Sequence, residues 1–338
     1  MLPNTQTSLP DRRRAILFTA GVVSLAFAWM HFPSPLRGTL PWILMSCSGM
    51  LLLAVSRFRL RHPVPALELA LILFPFLSMF FFRFVCPSTR VASVDELLWV
   101  FDSAFGYPQL PLTRLFAAST GILTVCNVTY QSLPFTFAVT YLLLPAAIRP
   151  RYLCAIAAAG AVVLPFYMTC PGAGPAYVFG HAYPNAMPLL AEPHARLLPA
   201  GNNLNTTPSD HLTWALLLFW FTWRYCGKPI AACFGLFSLV MVAATLGLGE
   251  HYVIDLVMAV PFAAAIWFLT GRQWRHAAAM LAVVGAWCIV LRQGWLIGAP
   301  APLVWALSAA TLAAPLVRRV RFETAPLALR PRAWRTAA

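Results

Sequence analysis

The chain has 338 residues, of which 60% are hydrophobic and 10% are charged, and its formal net charge is +14. A soluble domain usually carries about 25% charged residues, so this composition excludes a water-exposed globular surface and predicts an integral membrane protein. Nearly all of the positive charge is arginine. Because no basic patch with base-reading side chains accompanies it, we interpret the arginines as topology signals and expect no nucleic-acid partner.

Apolar runs recur from Leu17 to Leu316 and predict an all-α fold, a polytopic membrane helix bundle with about ten spans. Each run is close to the ~20 residues that cross hydrocarbon as a helix, and helices are expected because lipid cannot hydrogen-bond to a bare backbone. The predicted spans are 15–32, 39–56, 64–85, 120–147, 152–169, 210–226, 230–249, 252–270, 276–293 and 301–317.

Basic residues alternate between the two sides of these spans. Arg12 to Arg14 precede a first span that we expect to be retained, because no small-residue signal cleavage site follows it. Further basic residues follow the even-numbered spans and are sparser elsewhere: Arg57, Arg59, Arg61, Arg149, Arg151, Arg224, Lys228, Arg272, Arg275, Arg318, Arg319 and Arg321. Both termini are therefore predicted to be cytoplasmic. Residues 113–147 are too long for one upright span, and we expect an interfacial or tilted stretch plus one span.

Two predicted outer segments are long enough to have a function. In segment 86–112, Val94, Leu97, Leu98 and Phe101 recur at helical spacing, which predicts an amphipathic helix lying on the membrane surface. Segment 170–208 is rich in Pro, Gly and Asn, and we expect an irregular loop that acts as a lid or a substrate entrance.

The eight cysteines contain no CxxC pair, so a thiolate zinc site is not expected. No carboxylate cluster indicates another metal site, and we predict neither a metal nor a cofactor. Cys86 and Cys170 both fall at predicted outer ends of spans, which leaves open whether they form a disulfide or remain free thiols.

The sequence TTPSDHLTW opens the sixth predicted span. Thr207 is predicted to cap the helix, with Pro208 at its first position and Ser209, Asp210 and His211 in its first turn. A helix N-terminus offers free N–H groups and the positive end of the helix dipole, which suits a phosphate. Ser209 and Asp210 are therefore predicted to contact the substrate.

The sequence GEHYVIDLV opens the eighth predicted span. His251 and Asp255 are four residues apart and share one helix face, so the carboxylate can fix the tautomer of the imidazole. The span count puts His211 at the same membrane face. A single histidine at a span end, such as His276, is more simply an interfacial residue, and PSxH or HxxxD alone is a weak signal. Together and in this order, they predict a catalytic site.

The PSDH motif, followed forty residues later by HYVID, resembles the type-2 phosphatidic acid phosphatase superfamily, whose pattern is KxxxxxxRP, PSGH and SRxxxxxHxxxD. The similarity is greatest to its inositolphosphotransferase branch, which includes the fungal inositol phosphorylceramide synthases. The stretches CPGAGPAYVFG and LGLGEHYVIDL look like bacterial members of that branch, and the resemblance spans roughly residues 90–270.

This resemblance implies a metal-independent lipid phosphotransferase or phosphatase with a six-helix catalytic core. His251 would attack phosphorus and form a phosphohistidine, Asp255 would orient it, and His211 would protonate the leaving oxygen and then activate the acceptor. Residues 86–270 would form the core, with membrane spans at 1–85 and with further spans and a basic cytoplasmic tail at 271–338. The site would face the outside of a bacterial inner membrane, with a lipid phosphate as substrate and the oligomeric state left open.

The sequence departs from the superfamily pattern where phosphate is usually bound. Asp210 replaces the glycine of PSGH, and Thr245 stands six residues before His251 where arginine is usual. No KxxxxxxRP occurs on the predicted outer face, and the RP pair at Arg149 and Pro150 is predicted inside. The phosphate must then be held by other outer residues, and the candidates are Arg196, His194, His181 and Arg90.

Two other function classes remain open from the residues alone. A transporter or channel without phosphoryl transfer suits ten spans, although it would favour ionisable groups at the membrane midplane rather than at one face. A structural membrane protein with a decayed site would explain the missing arginines.

Overall fold

The computed structural model describes residues 92–180, 183–184, 192–195, 197 and 204–317. Within these ranges the chain is all-helical and contains no β-strand. The helices are α1 (Asp95–Ser103), α2 (Gln109–Ala118), α3 (Thr120–Gln131), α4 (Leu133–Leu143), α5 (Arg149–Val162), α6 (Leu164–Thr169), α7 (Pro175–Phe179), α8 (Asp210–Tyr225), α9 (Lys228–Gly247), α10 (Val253–Thr270), α11 (Trp274–Arg292) and α12 (Ala301–Val317).

Four helical segments in the described ranges are long and apolar enough to cross a membrane: α5 together with α6, α9, α10 and α11. The number is five if α3 and α4 form one bent span. Helices α8 and α12, with 16 and 17 residues, are shorter than the ~20 residues of an upright crossing. The chain is therefore an integral membrane protein. The predicted spans 15–32, 39–56 and 64–85 lie outside the described residues.

The stretch from 113 to 147 contains the end of α2 and the two short helices α3 and α4. Whether α2 is the expected interfacial stretch and α3 with α4 the expected span stays a prediction. Helices α3 and α4 meet at 59°. Pro134 lies in the first turn of α4 and has no N–H with which to continue the hydrogen bonding of α3, so the helix breaks at Ser132. Helix α3 packs against α9, while α4 packs against α8.

Helix α10 is the centre of the bundle. In the window that qualifies it as a span, 78% of its residues are buried, against 33–44% for the other three candidate spans. It contacts α1, α5, α8, α11 and α12. Because other helices surround α10, side chains at its N-terminal end are held within the protein.

Helix α1 forms where the hydrophobic spacing predicts a helix, but it does not lie on the membrane surface. Its apolar residues are buried except for the partly exposed Val100, and so are its carboxylates Asp95, Glu96 and Asp102. Asp95 accepts hydrogen bonds from the backbone N–H groups of Ala173 and Gly174. The surface prediction was wrong because it rested on the apolar spacing alone, whereas the acids of α1 are also buried and bind N–H and O–H donors from distant segments.

Asp102 connects α1 to the start of α10. Its carboxylate accepts the backbone N–H of Val253 at 3.0 Å and the side-chain N–H of Gln109 at 3.0 Å. Val253 is the first residue of α10, and its N–H has no partner within its own helix. A carboxylate at this position also interacts favourably with the positive end of the helix dipole.

Burial raises the pKa of Asp102 well above its ordinary value, and the nearby Asp255 carboxylate adds to the rise. The contribution of Asp102 to stability is therefore complete below about pH 4, its unfolded pKa, and is lost as the pH rises towards its folded pKa. Asp102→Asn should remove this loss, because an amide does not titrate. The Oε1 atom of Gln109, which has no partner in the described structure, can accept the new N–H.

Thermal unfolding midpoints of both proteins in detergent between pH 4 and 7 provide the measurement. Between the unfolded and the folded pKa of Asp102, each pH unit should shift the difference in unfolding free energy between the two proteins by about 1.4 kcal/mol in favour of Asp102→Asn. Parallel pH curves for the two proteins would contradict a raised pKa at this carboxyl group.

The segment that starts at Cys170 is buried over its first residues, and most of residues 181–203 lie outside the described ranges, so the lid stays a prediction. Residues 170–175 are all buried. The N–H of Ala176 donates to the carbonyl oxygen of Gly249 at 3.0 Å, and that of Thr206 donates to Gly172 at 3.1 Å. Gly172 and Gly174 allow this segment to pack closely against Thr206, which precedes α8, and against Glu250, which precedes α10. Cys170 is a buried free thiol, and Cys86 lies outside the described residues.

Gly174→Ala should destabilise the protein and reduce activity. Gly174 has φ +95°, and a Cβ atom there would lie 2.5 Å from the carbonyl oxygen of Glu250, the residue before His251. Backbone strain of this kind costs about 1–3 kcal/mol before the clash is added. Thermal unfolding and turnover should be compared with Gly121→Ala, a helical position where a Cβ meets nothing within 4 Å. Equal stability of the two variants would contradict the close packing.

Candidate active site

The N-terminus of helix α8 is part of the site, and Ser209 is the residue that caps this helix. The Ser209 side chain accepts the backbone N–H of Leu212, and the helix starts at Asp210. The prediction that Thr207 caps the helix was therefore wrong. The hydroxyl of Thr207 instead donates to Asp255 Oδ1 at 2.6 Å, a partner that lies 48 residues away in the sequence.

His251 lies between Asp255 and Ser209 and is buried. Its Nδ1 atom is 3.3 Å from Asp255 Oδ2, and its Nε2 atom is 3.1 Å from Ser209 Oγ. Because the carboxylate can only accept, Nδ1 carries the proton and Nε2 has a free lone pair. The hydroxyl of Ser209 donates to that lone pair while its oxygen caps α8. The imidazole is thus held in the tautomer of a nucleophile.

Asp255 is fully buried, and its two oxygens accept from three groups. Oδ1 accepts the hydroxyl of Thr207, while Oδ2 accepts the backbone N–H of Tyr252 at 2.9 Å and faces His251. The contact with Tyr252 also caps α10, because Asp255 is the third residue of that helix. One carboxylate therefore has two roles, because Asp255 orients His251 and also caps the N-terminus of α10.

His211 lies across from His251 at the start of α8. The ring centroids of the two histidines are 6.0 Å apart and their planes meet at 63°. The other face of His211 stacks on Tyr130 of α3, with centroids 4.0 Å apart and an angle of 15°. The separation suits two groups that act on the same phosphoryl group, and Tyr130 restricts the rotation of the His211 ring.

Asp210, beside His211, is 5% exposed, and its Oδ1 atom has no hydrogen-bond partner in the described structure. Thr245, which replaces the usual arginine, is buried in α9, and its hydroxyl bonds to its own helix. Its carbonyl oxygen accepts the N–H groups of Glu250 and His251. This position thus supports the backbone that carries His251 instead of binding phosphate.

Of the other predicted phosphate-binding residues, the described structure includes only His194. His194 is largely exposed, and its described contacts are with Glu96 and Glu192. Arg196, His181 and Arg90 lie outside the described residues. Their substrate-binding roles stay predictions.

Sequence reasoning missed several residues that position the site. Tyr177 donates its hydroxyl to Glu250 at 2.9 Å beside His251, and burial raises the pKa of Glu250. Tyr252 donates its hydroxyl to Asp95 at 2.7 Å. Asp95 and Asp102 lie among the apolar residues of α1, and acids in such a position could have indicated buried hydrogen-bond partners. Nothing in the sequence near Tyr130 indicates its contact with His211, since the two are 81 positions apart.

The site as described combines a nucleophilic imidazole, its carboxylate partner, a second imidazole and the N-terminus of α8. This set can carry out acid–base and covalent chemistry on a phosphate ester. Among the described residues, no group of three or more His, Cys, Asp or Glu side chains is arranged to hold a metal ion.

Comparison with known protein families agrees with this geometry. The model of the PAP2 superfamily, the type-2 phosphatidic acid phosphatases, matches residues 96–269, which include His211, His251 and Asp255. Comparisons with curated proteins and with solved structures gave no match. The resemblance to the superfamily is therefore confirmed, and a transporter is not favoured. Because the match covers 174 of 338 residues, just over half of the chain, this integral membrane protein belongs to the PAP2 superfamily.

Proposed function

We propose that the protein transfers a phosphoryl or phosphodiester group from a membrane lipid through a covalent phosphohistidine on His251. Membership of the PAP2 superfamily indicates phosphatase or phosphotransferase activity. The observation that carries the finer proposal is the environment of His251, whose Nδ1 faces Asp255 while Nε2 faces the start of α8. His211, 6.0 Å away between ring centroids, supplies the second proton-transfer group.

In the first step, the lone pair of His251 Nε2 attacks phosphorus and the bond from phosphorus to the leaving oxygen breaks. Burial and the neighbouring His251 lower the pKa of His211 to about 3, so His211 must take up a proton as the anionic phosphate binds beside it. It then gives that proton to the leaving oxygen. Asp255 stabilises the positive charge that develops on His251. The hydroxyl of Ser209 exchanges its contact with Nε2 for a phosphoryl oxygen, and the free N–H groups of α8 stabilise the negative charge.

In the second step, His211 takes a proton from the acceptor, whose oxygen attacks phosphorus. The P–N bond breaks and its electron pair returns to His251. Water as acceptor gives hydrolysis, while an alcohol gives a new ester. The resemblance to the inositolphosphotransferase branch supports an alcohol acceptor and an inositol-containing lipid.

The phosphate also needs a cationic contact, and Arg114 joins the candidates Arg90, Arg196, His181 and His194. Arg114 lies on α2 and donates to the carbonyl oxygen of Pro184 at 3.3 Å. The preceding residue, Thr113, donates to the carbonyl oxygen of Gly247, at the end of the helix that leads to His251. Arg114 is thus beside the backbone segment that supports the nucleophile.

The proposal extends to the arrangement in the membrane. The alternation of basic residues supports about ten spans, with a six-helix catalytic core in residues 86–270 flanked by spans in 1–85 and 271–338. The same pattern supports a site that faces the outside of a bacterial inner membrane, where it would meet lipid headgroups.

The test is an assay of the purified full-length protein in liposomes with phosphatidylinositol, phosphatidic acid or a polyprenyl diphosphate, each with and without ceramide or inositol. A new phosphodiester that requires the acceptor would establish transfer, while free phosphate would establish hydrolysis. An acid-labile, base-stable phosphoenzyme should form in either case. Absence of both turnover and phosphoenzyme with all three lipids would count against the proposal.

A further inference from the structure

A narrow groove runs between α6 and α11, away from the histidine pair. Its volume is about 330 Å³, and its wall is almost entirely apolar. Pro165 and Phe166 line it on one side, with Gly285, Cys288 and Ile289 on the other. The volume is at the lower end of the ~300–1,000 Å³ of small-molecule sites. Helix α11 lies beyond the residues that match the superfamily.

One end of the groove carries a cation. Arg292, the last residue of α11, lines the groove and donates from one guanidinium nitrogen to the carbonyl oxygen of Thr169 at 2.9 Å. Arginine has five N–H donors in a planar fork, and the described structure gives no partner for the other four. Trp295, just beyond, is 67% exposed, and exposed tryptophan is typical of the membrane–water interface.

The groove therefore has a cation at the interface and an apolar floor that extends towards the bilayer interior. A phospholipid has the complementary arrangement, with a phosphate at the interface and an acyl chain below it. We propose that this groove binds one anionic glycerophospholipid, with an acyl chain between α6 and α11 and the phosphate on Arg292.

This lipid site is separate from the catalytic site but linked to it through the backbone. Phe166 stacks edge-on against Phe262 of α10, with ring centroids 5.8 Å apart, so aromatic side chains close the inner side of the groove. Thr169 precedes the buried segment whose Gly174 packs against the backbone before His251. A lipid that holds Arg292 and α6 in place would support that segment.

The groove can be blocked by one substitution. A Cβ atom at Gly285 would meet nothing within 4 Å, so Gly285→Leu should fold and fill the groove with its side chain. Arg292→Gln removes the charge and leaves the groove open. Gly121→Leu, at another helical glycine with open space, is the matched control.

Native mass spectrometry of the full-length protein in detergent can count the retained lipids, with phosphatidylglycerol and phosphatidylcholine of the same chain length as probes. The wild type and Gly121→Leu should retain one phosphatidylglycerol in preference to phosphatidylcholine. Arg292→Gln should lower that preference roughly tenfold, the effect of one charge-assisted contact. Gly285→Leu should lose the bound lipid.

Equal retention of both lipids by the wild type, or undiminished binding by Gly285→Leu, would overturn the proposal. A photoreactive residue in place of the exposed Ile289 should crosslink to the lipid. Crosslinks to residues 1–91 of the same chain would instead identify a protein segment as the occupant and also overturn it.

Discussion

His251→Gln should abolish turnover and the phosphoenzyme together, with a loss of at least about 10⁴-fold in rate. Glutamine is close in size to histidine, and its amide can still accept the hydroxyl of Ser209 and contact Asp255. What it lacks is a nucleophilic nitrogen with a free lone pair. The measurement is steady-state turnover with the preferred lipid, alongside rapid-quench detection of the covalent intermediate.

The control for this variant is His276→Gln, which changes the same residue type at the start of α11, where the ring packs against Phe268. It should retain full activity. Thermal unfolding of both variants checks that the loss in His251→Gln does not come from misfolding. If His251→Gln forms a phosphoenzyme at the wild-type rate, His251 is not the nucleophile and the proposed mechanism fails.

His211→Gln should slow turnover of alkyl phosphate esters by about 10²–10⁴-fold, the usual contribution of a positioned acid–base group. Unlike the loss of the nucleophile, this loss depends on the leaving group. A nitrophenyl ester leaves as a stable anion and needs no proton, so its first step should recover in His211→Gln. The second step still lacks its base, and the phosphoenzyme should therefore accumulate.

A burst of nitrophenolate with little further turnover is the expected signature of His211→Gln. His251→Gln should give no burst with the same ester, which separates the two roles within one assay. If the activity of His211→Gln is equally low for alkyl and nitrophenyl esters, His211 does not protonate the leaving oxygen.

Much of the site could be predicted because its signals are local. His251 and Asp255 are one helical turn apart, and PSDH lies at the start of a predicted helix, so short motifs were enough to name both. The structure brings His211, His251 and Asp255 together, while their catalytic roles stay predictions. The helices α9, α10 and α11 were also predictable, because long apolar runs have few alternatives in a membrane protein.

The remaining features depend on long-range contacts that composition does not reveal. Asp95 and Asp102 each accept a backbone N–H from a residue more than 70 positions away, which the spacing of the apolar residues around them does not indicate. Thr207 was predicted to be a cap, but the hydroxyl is bound by Asp255 and Ser209 takes over the capping role. The bend between α3 and α4 follows from Pro134, although its angle is set by packing against α8 and α9.

The bonds between α1 and the start of α10 have a consequence for biosynthesis. The chain is made from its N-terminus, so Asp95 and Asp102 enter the translocation machinery about 150 residues before Tyr252 and Val253 can bind them. A nascent chain that stalls before residue 251 would keep two carboxylates without these donors in an otherwise apolar bundle. Such an intermediate should be a substrate for membrane proteases, because Tyr252 and Val253 are synthesised long after the two acids that they bind.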